Sequence, residues 1–362
     1  MKQHAIIPIF IPHKGCPNDC VFCNQRKITA RTADVTPDGA KAVIEQWLST
    51  LSGVETVEVA FYGGSFTGIP IEEQTSFLEI AEEYKKAGRI HKIHLSTRPD
   101  YIDETILDNL KAHGVDVIEL GVQSFDDEVL RLSNRGHDSA CVYRASDLIH
   151  SYGFELGIQL MIGLPGDSLE SCLYSARETV RLRPALARLY PTIVIDDTEL
   201  YEQYRRGEYT PLSREEAILR TKEMYKILDD AGIYIMRVGL KSTDIIGDGG
   251  AVNGGTYHPA FRQLVEGRIA RERIEAQLDA LQDAQPGAQV EAQPGSQPES
   301  RSESRSSARQ THVEIASHPS WFSNMIGHHA ENKEYFREKY PNLTITYKED
   351  SSLTSGKFRV NF

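Results

Sequence analysis

Gly15-Cys16-Pro17-Asn18-Asp19-Cys20-Val21-Phe22-Cys23 is the stretch on which the reading of this chain turns. The spacing C-x3-C-x2-C brings three thiolates from one short loop. Such a loop can wrap a cuboidal iron–sulfur cluster corner by corner, and it leaves one iron open to another ligand. Electron-transfer clusters close all four positions with cysteine. A structural zinc site is the alternative, but zinc takes four ligands, usually as two separated pairs. The remaining cysteines, Cys141 and Cys172, fall in segments that read as helices. Free cysteines in such places pack as small apolar side chains.

Around this loop, short apolar or β-branched runs alternate with longer amphipathic ones. Strand-like runs cover 5–11, 57–62, 90–95, 115–122, 155–162, 186–195 and 233–240. Helical runs lie near 37–51, 71–87, 102–113, 126–150, 168–182 and 213–231. Strands separated by helices of this length need crossover connections and build a parallel sheet. Most of the strand runs end in a polar or glycine-rich motif, as though one rim were the working face. The expected fold is therefore α/β, a partial (β/α)6-type barrel of about six strands, open on one side.

The expected organisation has four parts. The partial barrel covers 1–245, and an extension over 246–282 covers the barrel. A Gln-, Pro- and Ser-rich linker or insertion follows over 283–310, and a small α/β tail occupies 311–362. The linker lacks the apolar content that offsets ordering entropy. Composition points to an intracellular protein: 362 residues, a net charge of −12 and only five cysteines. That charge shows no global basic field, and an odd cysteine count concentrated in one loop argues against a disulfide framework. With no signal-peptide pattern and no membrane-length apolar run, a cytoplasmic protein without membrane association is expected.

The cysteine spacing resembles the signature of the radical SAM superfamily. The resemblance implies a 4Fe–4S cluster held by Cys16, Cys20 and Cys23. Its open iron would chelate the amino and carboxylate groups of S-adenosylmethionine (SAM). Reductive cleavage would then give methionine and a 5′-deoxyadenosyl radical, with flavodoxin or ferredoxin as reductant. Gly63-Gly64-Ser65-Phe66 matches the glycine element that meets the methionyl amino group, and paired glycines do allow close backbone approach. Gln123 is expected at the ribose or carboxylate, and Arg135 can fork onto the carboxylate. Phe22 would pack on the adenine, with Gln159 and Met161 lining its pocket. Ser96 stands where some relatives carry a ribose-clamping carboxylate, so that contact falls to Thr97 or to water. His137 reads as a structural loop residue, and His258 as part of a turn or else a substrate contact. No side chain is singled out as a catalytic acid or base.

Arg98-Pro99-Asp100-Tyr101, Gly121-Val122-Gln123-Ser124, Asn134-Arg135-Gly136-His137 and Leu189-Tyr190-Pro191-Thr192 make the stretch 5–240 similar to the catalytic subunit of Elongator. The 121–137 segment is more weakly similar to oxygen-independent coproporphyrinogen oxidases. Elongator-type proteins modify wobble uridines in tRNA through an acetyl-CoA-derived radical, so tRNA is the implied substrate. Lys14, Arg26, Lys27 and Arg31 near the mouth would meet its phosphates. Two departures stand out: the cysteine spacing is more compact, and no stretch after 240 is long enough for the acetyltransferase domain. In both, the chain looks like the shorter bacterial radical SAM proteins. The tail segment 323–332 loosely resembles the KH clamp, with Ala330 in place of its second glycine; a helix cap and turn is the plainer reading. A cluster-carrying adaptor without turnover, or an enzyme acting on a small molecule or peptide, is the alternative function.

Overall fold

The computed structural model describes residues 4–11, 16, 20–24, 35–240, 251–283 and 311–361. The chain divides into two compact units, 1–261 and 262–362. In the first, seven parallel strands form one sheet in the order β1-β2-β3-β4-β5-β6-β8. They are β1 (His4–Ile11), β2 (Thr56–Gly63), β3 (Lys92–Thr97), β4 (Val117–Gln123), β5 (Glu155–Ile162), β6 (Leu186–Pro191) and β8 (Tyr234–Val238). Each strand run of the sequence contributes one strand to this half-barrel, giving seven where about six were expected. The run 186–195 breaks at Thr192, whose N–H donates to Ile162 O at 2.8 Å. Its second half, β7 (Ile193–Ile195), pairs antiparallel with β9 (Val252–Gly255).

Strand alternation separates two faces. In β1, Ala5, Ile7, Ile9 and Ile11 are buried, while His4, Ile6, Pro8 and Phe10 are half-exposed. Register carries the second set across the sheet: Ile6 pairs with Glu58, Ser96 with Glu119, Gly121 with Gln159 and Met161 with Tyr190. Because side chains alternate with period two, these residues share one face. That face is polar and the other is aliphatic. Helices after the strands begin on side-chain caps: Asp103 accepts from Ile106 N–H, Asp138 from Cys141 N–H and Ser168 from Ser171 N–H. Each cap contributes about 1 kcal/mol.

The run 126–150, expected as one helix, is two: Asp127–Leu132 and Ser139–Ser151. Asn134 (φ 52°) and Gly136 (φ 73°) adopt left-handed backbone between them. The reversal places the Arg135 side chain in the interior, 5% exposed.

The second unit holds β10 (Thr311–Ser317), flanked by parallel β11 (Leu343–Glu349) and antiparallel β12 (Phe358–Asn361). Short helices Phe322–Ile326 and Glu331–Lys339 lie between the strands. The helix Phe261–Asp283, which the sequence reading did not distinguish, joins this unit. Asn332 Nδ2 donates to Gly267 O at 2.9 Å, and Arg273 Nη1 to Gly356 O at 2.9 Å. Of the stretch 283–310, expected as linker or insertion, Asp283 ends the Phe261–Asp283 helix and 284–310 lies outside the described residues.

Candidate functional site

Cys16, Cys20 and Cys23 line one cavity of about 230 Å3 at the C-terminal rim of the sheet. A turn with Cys23 N–H on Cys20 O (2.9 Å) sets the last two. Val21 N–H donates to Ser133 O (3.2 Å), and Leu200 N–H to Val21 O (2.7 Å), so the loop is pinned from both sides. Val21 and Phe22 pack with Val129, Leu164, Val194 and Leu200. Among the described residues no three His, Cys, Asp or Glu side chains converge on one ion. The donor set of three thiols on one cavity fits a cluster with one open corner.

The other predicted residues converge on the same space in part. Gly63, Gly64, Phe22, Thr97, Gln123, Arg135, Gln159 and Met161 all line the cavity. Gly63 has a further reason to be glycine: at φ 123° its Cβ would stand 2.5 Å from Ile11 O. Ser65 is not among the lining residues. Its buried hydroxyl meets Thr97 Oγ1 at 2.7 Å and accepts from Arg98 N–H at 3.1 Å. Thr97 Oγ1 also meets Thr67 Oγ1 at 2.6 Å. These hydroxyls lock the ends of β2 and β3 together.

Gln123 ends β4 in left-handed backbone (φ 73°), next to a register shift. A non-glycine residue held there costs about 1–3 kcal/mol and is characteristic of functional sites. Its Oε1 accepts from Gln159 Nε2 at 3.4 Å. Arg135 donates from Nη1 to Cys20 Sγ at 3.1 Å and from Nη2 to Gly121 O. Arg98, 3% exposed, forks onto Asp100 at 2.9 and 2.8 Å, and its Nη1 is buried without a partner. Burial pulls the Arg98 guanidinium down, but Asp100 and the nearby Cys16 and Cys20 outweigh it, so the charge is held firmly.

Beneath the cavity lies a charged floor that sequence reading missed. His94 Nδ1 meets Glu58 Oε1 at 2.9 Å, and His4 Nε2 meets Glu58 Oε2 at 3.1 Å. Arg188 Nε lies 2.9 Å from Glu119 Oε2, and its guanidinium stacks on Tyr62. Burial raises the Glu58 carboxyl, yet His94 and His4 together hold it below its ordinary value. Ser96, which donates to Glu119 Oε1 at 3.3 Å, and Tyr190 link this floor to the cavity lining. The available signal was positional: titratable residues facing the same side of β1, β2, β3, β4 and β6.

Several residues stay apart. Cys141 and Cys172 do not line the cavity; Cys172 Sγ donates to Asp167 Oδ2 at 3.1 Å, and burial pushes its thiol up. His137 is likewise outside the lining, its imidazole held down to about 4 by burial and by Arg135. His258 Nδ1 accepts from Ala260 N–H at 3.1 Å, as turn chemistry requires. Around Gly327, Asn332 Nδ2 donates to carbonyls of Gly267, Asn324 and Met325, so this tail turn uses its groups internally. Lys14, Arg26, Lys27 and Arg31 lie outside the described residues, and among those described no helix is long and apolar enough to cross a membrane.

Comparison with known proteins agrees with this fold. The chain is 32% identical over 255 residues to a tRNA uridine(34) acetyltransferase of Methanocaldococcus infernus, covering 59% of this chain and 48% of that protein. It is 27% identical over 299 residues to Elongator complex protein 3 of Schizosaccharomyces pombe, covering 67% and 54%. The chain thus spans about half the length of these curated relatives. Among solved structures, the archaeal Methanocaldococcus infernus Elp3 with an N-terminal deletion shares the fold: TM-score 0.61, 24% identity, covering 75% of this chain and 64% of that one. Residues 10–178 match the model of the Radical SAM superfamily and 184–271 that of the Radical SAM C-terminal domain, and the chain belongs to the radical SAM superfamily.

Proposed function

We propose that this protein is a SAM-cleaving radical enzyme whose substrate is tRNA. The observation that carries it is the convergence of three thiols with Gly63-Gly64, Gln123 and Arg135 on one cavity. When bound, a 4Fe–4S cluster would supply the single electron that cleaves SAM to methionine and a hydrogen-abstracting 5′-deoxyadenosyl radical. The chain's own residues bind, orient and enclose. Cys16, Cys20 and Cys23 hold the metal. The backbone at Gly63-Gly64 lies open to a ligand's amino group, and the side chains of Gln123 and Gln159 offer amide groups to a ribose. Phe22, Met161, Tyr190 and Ile193 make an apolar wall for an adenine and exclude water. An adaptor without turnover has no use for such a pocket.

The tRNA substrate is supported by the likeness of the chain to a tRNA uridine(34) acetyltransferase. A flavodoxin- or ferredoxin-type donor would supply the electron in a cytoplasmic setting. Two measurements test the reading. Anaerobic calorimetry on cluster-loaded protein should detect SAM binding, and its absence favours the adaptor. Nucleosides of bulk tRNA from a deletion strain should lack one modification present in the parent. If they are unchanged and the loaded protein shows no salt-sensitive tRNA binding, a small-molecule or peptide substrate replaces tRNA, since phosphate contacts weaken steeply with salt.

A further inference from the structure

Arg135 is 5% exposed and has no carboxylate partner among the described residues. A guanidinium removed from water without a counter-ion is strongly unfavourable, so its anion has to be nearby. The group it touches is Cys20 Sγ, at 3.1 Å from Nη1. Nη2 is fixed on Gly121 O, which prevents the fork from swinging away. Gly121 packs closely here: a Cβ there would lie 3.3 Å from Gln123 Nε2 and in ordinary contact, 3.6 Å, with Arg135 Nη2. Arg98, the other guanidinium lining the cavity, differs in kind. Its charge is answered by Asp100; each guanidinium leaves one buried nitrogen unpartnered, Nη1 in Arg98 and Nε in Arg135.

We propose that Arg135 is a positioning and tuning residue for the cluster: it donates a charged N–H···S bond to the Cys20 thiolate and so favours the reduced cluster. The inference rests on the cluster reading above. Hydrogen bonds and positive charge at a ligating sulfur draw electron density from it, which makes an added electron easier to accept. The loop break after Leu132 then has a purpose, since it turns Arg135 inward beneath Cys20. The family resemblance places this arginine on the cofactor carboxylate. The geometry assigns its two bonded nitrogens elsewhere.

The test is a redox titration of the reconstituted full chain, without SAM, followed by the electron paramagnetic resonance signal of the reduced cluster. Arg135→Met should lower the reduced-to-oxidised ratio at a fixed potential about tenfold, equivalent to a shift of about 59 mV to more negative values. Arg135→Lys keeps the charge but cannot hold both partners, and should shift less in the same direction. Where Arg135→Met holds no cluster, Arg135→Lys decides alone. Midpoints equal to the parent's in the variants that load, with SAM affinity lost in calorimetry, would overturn the proposal and return Arg135 to the cofactor carboxylate. Failure of the parent chain to form any cluster would defeat the underlying reading instead.

Discussion

Two turns in this molecule share a glycine with positive φ and differ in what surrounds them. Gly63, at the end of β2, and Gly327, in the C-terminal unit, both take left-handed backbone, at φ 123° and 82°. Both are packed tightly: a Cβ at Gly63 would meet Ile11 O at 2.5 Å, and one at Gly327 would meet Asn332 N at 2.8 Å. The first turn opens beside three thiols and two buried guanidiniums. The second is closed by the Asn332 amide, which caps three carbonyls. A glycine motif therefore reports a packing need in either case. What distinguishes a ligand site is unused donor capacity around it, such as Arg98 Nη1.

The comparison can be broken in several ways. Replacing Cys16, Cys20 and Cys23 by Ala should abolish iron binding altogether, measured as cluster absorbance after anaerobic reconstitution, while the unfolding transition of the C-terminal unit stays in place. Gly63→Ala combines a clash with backbone and a strained φ, so it should destabilise the barrel by about 3 kcal/mol. Denaturant unfolding reads this, and a parent-like midpoint would show that the β1–β2 approach is looser than described. Asn332→Ala leaves three carbonyls without their donor and should cost about 2 kcal/mol, with iron content untouched. A loss of cluster in that variant would mean that the two turns are not independent.

The smallest effect concerns His137. Its folded value of about 4 lies below the ordinary 6.5, through burial first and the charge of Arg135 second. A depressed histidine binds fewer protons folded than unfolded, so its contribution is complete above pH 6.5 and is lost as pH falls toward 4. The difference in stability between the parent and His137→Asn should therefore change across that window and be flat above it. A flat difference throughout would place His137 in solvent.

The strands of the barrel were legible because their apolar runs are bounded by polar rim motifs. The cysteine loop was legible because its spacing has few physical uses. The break at Ser133–Asp138 was not, since a helix-period pattern runs through it; the left-handed backbone at Asn134 and Gly136 decides it. Ser65 and Thr97 illustrate another limit: a hydroxyl beside a cavity can face a ligand or another hydroxyl, and here they face each other. The floor of Glu58, His94, Glu119 and Arg188 was hidden because each residue looks isolated within its own strand. Only the register brings them together.

The central claim is that the cavity lined by Cys16, Cys20 and Cys23 cleaves SAM reductively. Anaerobically reconstituted protein, given dithionite and SAM, should produce 5′-deoxyadenosine, and the triple cysteine variant should produce none. A parent protein that carries its full complement of iron and sulfide yet yields no 5′-deoxyadenosine, or that holds tightly bound zinc and no iron, would contradict it.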